Sequence, residues 1–299
     1  MSRPVRVLIT GAGGQLGLDL VAAFSAGGAY KVTGLQRAQL DVGQRDAVAG
    51  TIDGLAPHII VHAGAWTAVD ACEGDPDRAW QVNAMGARHV AEAARAVGAY
   101  LLYVSTDYVF SGMATRPYTE WDDPDPASVY GRSKLGGERE VLTASPGAAV
   151  VRTSWVCGRN GANMVKTILR LASERDELHF VDDQWGCPTF TDDLAGAIAQ
   201  LAAARLPGLF HVTNQGPTTW FGFARDVVAA AGGRPEMVHP ISTAALSPPR
   251  PAPRPAYSVL DNAALRASGL PLLADYHEPL ARTVAALTNR GQTSERIAT

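Results

Sequence analysis

Short apolar runs recur through the first half of the chain: VRVLIT (5–10), KVTGL (31–35), HIIVHA (58–63), YLLYVST (100–106) and VVRTSWV (150–156). Between them the apolar residues take a helical spacing, from about Gln15 to Phe24, over roughly 44–55, and from Pro76 to Val97. In the last of these, positions 79, 82, 86, 90, 93 and 97 share one face. Strands apolar on both faces and separated by helices predict an α/β fold, a doubly wound parallel sheet with right-handed crossovers. The second half is less regular, with helical patterns at about 161–175, 191–205 and 218–231 and a strand-like LFHVTN at 209–214. The proline-rich SPPRPAPRPAY (247–257) suits neither a helix interior nor a central strand. It is expected as an ordered loop lying over a ligand.

Composition narrows the classes. A chain of 299 residues has room for about two domains. With 46% hydrophobic and 18% charged residues and a net charge of −3, nothing argues for a nucleic-acid or membrane partner. No stretch approaches the ~20 apolar residues of a membrane helix, and the N-terminus shows no signal-peptide pattern. Cys72, Cys157 and Cys187 are far apart, which speaks against a disulfide framework or zinc site and for a reducing cytoplasm.

The first apolar run leads directly into GAGGQLG, a turn that opens a helix. Glycines there allow a tight turn and close backbone approach, and the helix N-terminus supplies amide donors to a pyrophosphate. Gly11, Gly14, Gln15, Leu16 and Gly17 are therefore candidate cofactor contacts in a Rossmann domain. The Gly11-x-x-Gly14-x-x-Gly17 spacing suggests the short-chain dehydrogenase variety, and no Walker lysine is present. The second strand ends in GLQR, so Arg37 stands where an NAD site usually has an acidic residue. This favours the 2′-phosphate of NADPH, with NADH left open as an alternative and a merely solvated arginine as the bland one. Asp41 and Val42 are placed near the adenine. The expected division is a dinucleotide-binding domain over 1–153, with about 206–232 returning to it. A smaller, interleaved C-terminal substrate domain takes 154–205 and 233–290, and 291–299 form a polar tail.

Three further segments converge on the carboxyl ends of the strands. AGAW (63–66) offers Ala63, Gly64 and Ala65 as small residues against a nicotinamide ribose. STDYVF (105–110) offers Thr106 and Asp107. SVYGRSK (128–134) puts Tyr130 and Lys134 one helical turn apart. Taken singly, Thr106 could cap a turn, Asp107 could hold a loop, and a Tyr-x-x-x-Lys pair is common. A lysine charge about 5 Å from the phenol, at an effective dielectric near 20, would be worth roughly 3 kcal/mol, or about two pKa units. Tyr130 is accordingly expected near 8, as a general acid.

These motifs, with RTSWVCG (152–158), NMVKTILRL (163–171), DDQWGCPT (182–189), FHVTNQG (210–216) and RPAYSVLD (254–261), resemble the dTDP-4-dehydrorhamnose reductase family of the extended short-chain dehydrogenase/reductases. The likeness runs over nearly the whole chain. It implies NADPH-dependent reduction of a nucleotide-sugar 4-ketone, the last step of dTDP-L-rhamnose synthesis. Thr106 and Tyr130 would contact the keto oxygen, with Asp107 beside them on the substrate, and Lys134 would hold the nicotinamide ribose. Trp155 would wall the deoxysugar, while Asn163 and the Arg254 loop would lie near the nucleotide half. The sequence departs from the family at HAGAW and at Ser111. Some relatives use Mg²⁺ between subunits. Asp192 and Asp193 are the nearest acidic pair, but a helix cap explains them, so no metal is predicted. A homodimer is left open. His62 is expected as a packed or backbone-bonded side chain, and Cys157 and Cys187 as small hydrophobes. Two rivals remain: an NAD-dependent epimerase or dehydratase on the same scaffold, and a non-catalytic regulatory subunit that binds a partner enzyme.

Overall fold

The computed structural model describes residues 4–297. Its centre is one sheet of β1 (Val5–Thr10), β2 (Tyr30–Leu35), β3 (Ile59–His62), β4 (Tyr100–Thr106), β5 (Ala149–Thr153) and β6 (Gly208–His211). All pairings are parallel and the spatial order is β6-β5-β4-β3-β1-β2. The direction of winding reverses between β1 and β3. In open α/β sheets the ligand lies outside the carboxyl ends at that point.

The longer helices are α1 (Gln15–Ser25), α2 (Arg45–Leu55), α3 (Gly86–Ala96), α4 (Val129–Ala144), α5 (Met164–Glu174), α6 (Thr191–Ala204), α7 (Trp220–Ala230) and α8 (His277–Ile297). Alternate residues of a strand serve opposite layers. Val7 and Ile9 of β1 pack with Leu16, Leu20 and Phe24 of α1 and with Leu194 and Ile198 of α6. Leu8, between them, packs with Val48 and Ile52 of α2, Val90 of α3 and Val141 of α4. Each such aliphatic side chain contributes about 1.5–3 kcal/mol on full burial, which is why these strands are apolar throughout. A separate core joins α5, α7 and α8 through Ile168, Phe223, Val227, Leu280 and Val284. Beside it lies a parallel pair of short strands, Leu178–Val181 and Val238–Ile241.

Two helices pack otherwise than their place in the sequence suggested. The 191–205 pattern, expected in the substrate domain, forms α6 and covers the central sheet. The 218–231 pattern, expected to return with β6, forms α7 and belongs to the other core. Only β6 of that segment joins the sheet. Residues 291–297, expected as a tail, continue α8, and 298–299 lie outside the described residues. The 76–97 pattern is not one helix: Pro76–Trp80 and α3 are joined by a π-helical turn, Gln81–Met85.

Candidate active site

A cavity of about 670 Å³ follows the carboxyl ends of the strands from the glycine turn to Trp155 and Trp220. Gly11, Gly14, Gln15 and Leu16 line it at the turn, and Arg37, Asp41 and Val42 line it beyond β2. Ala63, Gly64 and Ala65 contribute after β3, and Thr106, Asp107, Tyr130, Lys134 and Trp155 also line it. Gly17 lies behind the turn, packed on Gly11 and Ala12. Asn163 and Arg254 do not line this cavity.

The turn fits a dinucleotide. Gly11 has φ +71°, and a Cβ there would meet the Gly64 backbone at 2.7 Å, so the turn and the segment after β3 touch through main chain alone. The N-terminus of α1 carries no side-chain cap, and Gln15 Oε1 is buried without a partner among the described residues. Open amides at a helix start suit the pyrophosphate, and Arg37 beside them suits a 2′-phosphate.

At the other end of the cavity α4 begins with Ser128, whose side chain accepts from Gly131 N at 3.1 Å. Its third turn lies so close to β4 that a Cβ on Gly137 would collide with Tyr103 Oη and Asn83 O. This contact sinks Tyr130 and Lys134 into the protein. Lys134 Nζ donates to Val104 O at 2.7 Å and sits 4.1 Å from the centre of the Tyr103 ring. Burial pulls the lysine down to about 7, against the upward pull of Glu138 one turn further on. The Tyr130 phenol is pushed well above its ordinary value, chiefly by burial. The expected depression to near 8 is therefore corrected: the lysine is spent on a backbone carbonyl, and desolvation of a fully buried phenol dominates.

Thr106 caps the turn Asp107–Val109 by accepting from Tyr108 N at 3.3 Å, and donates to Asp107 Oδ1 at 3.0 Å. Thr106 also acts on the Tyr130 phenol, in the direction that favours its ionisation and against burial. Asp107 Oδ2 accepts from Ser154 Oγ at 3.1 Å and from Ser258 Oγ at 2.6 Å. Burial pushes this carboxyl up to about 6, against those three hydroxyls. Both bland readings of STDYVF thus hold: Thr106 caps a turn and Asp107 holds a loop.

Trp155, at φ +45°, stacks on Trp220 with ring centroids 3.6 Å apart and planes within 4°. Arg254 grips Asp70 with both nitrogens, at 2.6 and 2.8 Å, and Ala252 N donates to the same carboxylate. This pair anchors the proline-rich segment beside Tyr108, where Arg254 also acts. Asn163 is occupied locally: Oδ1 accepts from Lys166 N at 3.2 Å and Nδ2 donates to Gly158 O at 2.7 Å, capping α5. Asn163 is expected near the nucleotide half of the substrate, and here its side chain caps α5.

Asp193 pairs with Arg282 at 2.6 Å and accepts from Asn214, while Asp192 lies 3.7 Å from the same guanidinium. His62 Nδ1 is 2.6 Å from Thr10 Oγ1 and its ring stacks on Tyr103. Burial, then the Lys134 charge, pulls this imidazole down to about 3 and keeps it neutral. Cys157 and Cys187 are buried, and burial pushes the Cys187 thiol up to about 11.

Sequence reasoning missed Asn83 in the π turn. Its Oδ1 accepts from Trp66 N at 2.7 Å, and its Nδ2 donates to Trp66 O and to Ser133 Oγ. One amide thus ties the loop after β3 to α4. A polar residue four positions after Ala79, on the apolar face, was the available signal. Also missed was a buried ion pair. Arg152 Nη2 lies 2.7 Å from Glu138 Oε2, and Ser105 Oγ donates to Oε1 at 2.5 Å.

A parallel sheet reversing at β1/β3, a glycine turn, and Thr106, Tyr130 and Lys134 on one cavity define an extended short-chain dehydrogenase/reductase. The chain belongs, within that class, to the dTDP-4-dehydrorhamnose reductase family: the family model described as the RmlD substrate binding domain matches residues 5–289. It is 43% identical over 291 residues to the dTDP-4-dehydrorhamnose reductase of Streptomyces griseus, covering 95% of each chain. It is 41% identical over 280 residues to a probable dTDP-4,6-dihydroxy-2-methyloxan-3-one 4-ketoreductase of Streptomyces antibioticus, covering 92% of this chain and 93% of the other. The crystal structure of the Bacillus anthracis dTDP-4-dehydrorhamnose reductase in complex with NADP superposes with a TM-score of 0.90 at 38% identity. That match covers 95% of this chain and all of the other. Among the described residues no helix is long and apolar enough to cross a membrane.

Proposed function

We propose that the protein reduces the 4-keto group of dTDP-4-dehydro-β-L-rhamnose to dTDP-L-rhamnose, using NADPH. The observation that carries this reading is one cavity lined by the glycine turn, Arg37, the Thr106–Tyr130–Lys134 group and Trp155. The names of its relatives and the NADP held by the Bacillus anthracis structure support it. When bound, NADPH supplies a hydride to the keto carbon. The charge that builds on the keto oxygen is met by Tyr130, which gives its proton to that oxygen. Lys134 holds the ribose, and burial of its ammonium strengthens every hydrogen bond it makes there. Asn83 and Ser133 fix α4 against the loop after β3, so that Tyr130 keeps its place. Trp155 gives an apolar wall to the C–H face of a deoxysugar, backed by Trp220. Arg254, released from Asp70, is the cation for the nucleotide half.

The buried thiols suit a reducing cytoplasm, and a homodimer is the assembly to look for. The test is NADPH oxidation by the purified protein with dTDP-4-dehydro-β-L-rhamnose. Turnover that requires the nucleotide sugar supports the reading. A protein that holds NAD tightly and returns it unchanged would be an epimerase or dehydratase instead. No turnover at all, with NADPH bound, would favour the regulatory subunit.

A further inference from the structure

The loop 158–163, which leads into α5, returns to the helix that opens at the glycine turn. Gln15 and Asp19 stand one turn apart on α1 and share a face. The loop lies against both. Asn160 Nδ2 donates to Asp19 Oδ1 at 2.9 Å across 141 residues of chain, and Asp19 is only 8% exposed. Gly161, at φ +66°, lies so near Gln15 that a Cβ there would stand 2.5 Å from Gln15 Cγ.

The loop is itself braced. Asn163 Nδ2 donates to Gly158 O at 2.7 Å and to Asn160 O at 3.4 Å. Lys166 Nζ donates to Gly161 O at 2.8 Å, and a Cβ on Gly158 would collide with Thr191 Oγ1. Gln15 is thus held between a fixed loop and the cavity it lines. Its Oε1 is buried without a partner among the described residues, so the amide nitrogen is the end left to meet an anion.

We propose that Asn160 is a positioning residue for the cofactor: fastened to Asp19, it seats Gly161 behind Gln15 and so holds the Gln15 amide against the pyrophosphate of NADPH. The inference rests on the reading of the glycine turn as the NADPH site and adds a support that does not itself line the cavity. A free glutamine side chain has many rotamers, and ordering it on binding weakens the contact it makes. A loop that has already selected the rotamer removes that cost before NADPH arrives. Glycine suits position 161, because the backbone is left-handed there and a side chain would push Gln15 from its place. A donor suits position 160, because Asp19 is a carboxylate and can only accept.

The experiment is a fluorescence titration of the full chain with NADPH, without sugar. Asn160→Ala should weaken binding roughly three- to tenfold. Asn160→Asp sets two carboxylates against each other and should weaken it further. Adding Asp19→Asn to that variant restores the donor and acceptor in exchanged places, and should return the affinity to within about threefold of wild type. In a Gln15→Ala background, Asn160→Ala should cost less than about twofold more, because the side chain it positions is gone. A brace of the fold alone would act equally with and without the Gln15 side chain. Wild-type affinity in Asn160→Ala, an exchange that restores nothing, or an equal loss in both backgrounds overturns the proposal. Because the titration needs no sugar, a protein that shows this pattern yet fails to oxidise NADPH with the nucleotide sugar refutes the proposed function alone.

Discussion

The ammonium of Lys134 lies 2.7 Å from the carbonyl oxygen of Val104, on the strand beneath it. The residue is therefore fixed in place before any cofactor binds, and it is fixed while fully buried, at about 7 against an ordinary 10.5. Between those two values the unfolded chain holds a proton at this site that the folded chain has released. Stability from this site accordingly rises with pH from about 7 to 10.5. Thermal midpoints of wild type and Lys134→Met, measured across that range, should diverge in favour of the wild type as pH rises. NADPH affinity of the wild type should fall as pH rises through about 7, because the cation that meets the ribose is lost there. Lys134→Met should bind NADPH poorly at every pH and turn over slowly.

Arg37 stands at the cofactor end of the cavity. Arg37→Ala should weaken NADPH binding by tenfold or more, about 1.4 kcal/mol, and leave NADH nearly unchanged. Fluorescence titration with each cofactor checks it. Equal losses for both would show that Arg37 does not read the 2′-phosphate.

Much of this was legible in the sequence, and the misses share a cause. The six strands could be read because a strand covered on both faces must be apolar throughout, and VRVLIT and HIIVHA have no other use. The glycine turn, Thr106, Tyr130 and Lys134 could be read because their chemistry depends on local spacing. The exchange of α6 and α7 between cores could not, since both helices are amphipathic and nothing local says which apolar surface receives them. The partner of Arg254 was hidden for the same reason: Asp70 is 184 residues away in the chain. The ionisation of Tyr130 was misjudged because spacing along α4 brings the lysine near, while the tertiary contact with Val104 decides where its charge goes.

Trp155 and Trp220 are stacked at the far end of the cavity from Arg37. Trp155→Ala should raise the apparent KM for the nucleotide sugar roughly tenfold or more, at about 1–3 kcal/mol for a lost apolar contact, with little change for NADPH. Trp220→Ala should act in the same direction and more weakly, because it loosens the wall without removing it. A larger loss for the cofactor than for the sugar would place this pair elsewhere in the mechanism.

Glu138 and Arg152 are both nearly inaccessible to solvent and joined through two hydrogen bonds. Glu138→Gln leaves Arg152 buried without a counter-charge, which costs about 3–5 kcal/mol. Chemical denaturation should show that loss as a lower midpoint with an unchanged slope. A loss under 1 kcal/mol would mean that water reaches Arg152.

The central claim is that Tyr130 gives the proton to the keto oxygen. Its most direct test is the steady-state turnover of Tyr130→Phe with NADPH and the dTDP-4-keto sugar, alongside a fluorescence titration of NADPH. Removing one hydroxyl should cut kcat by roughly 10²–10⁴ while NADPH still binds as it does to the wild type. A Tyr130→Phe protein that turns over near the wild-type rate would contradict the account.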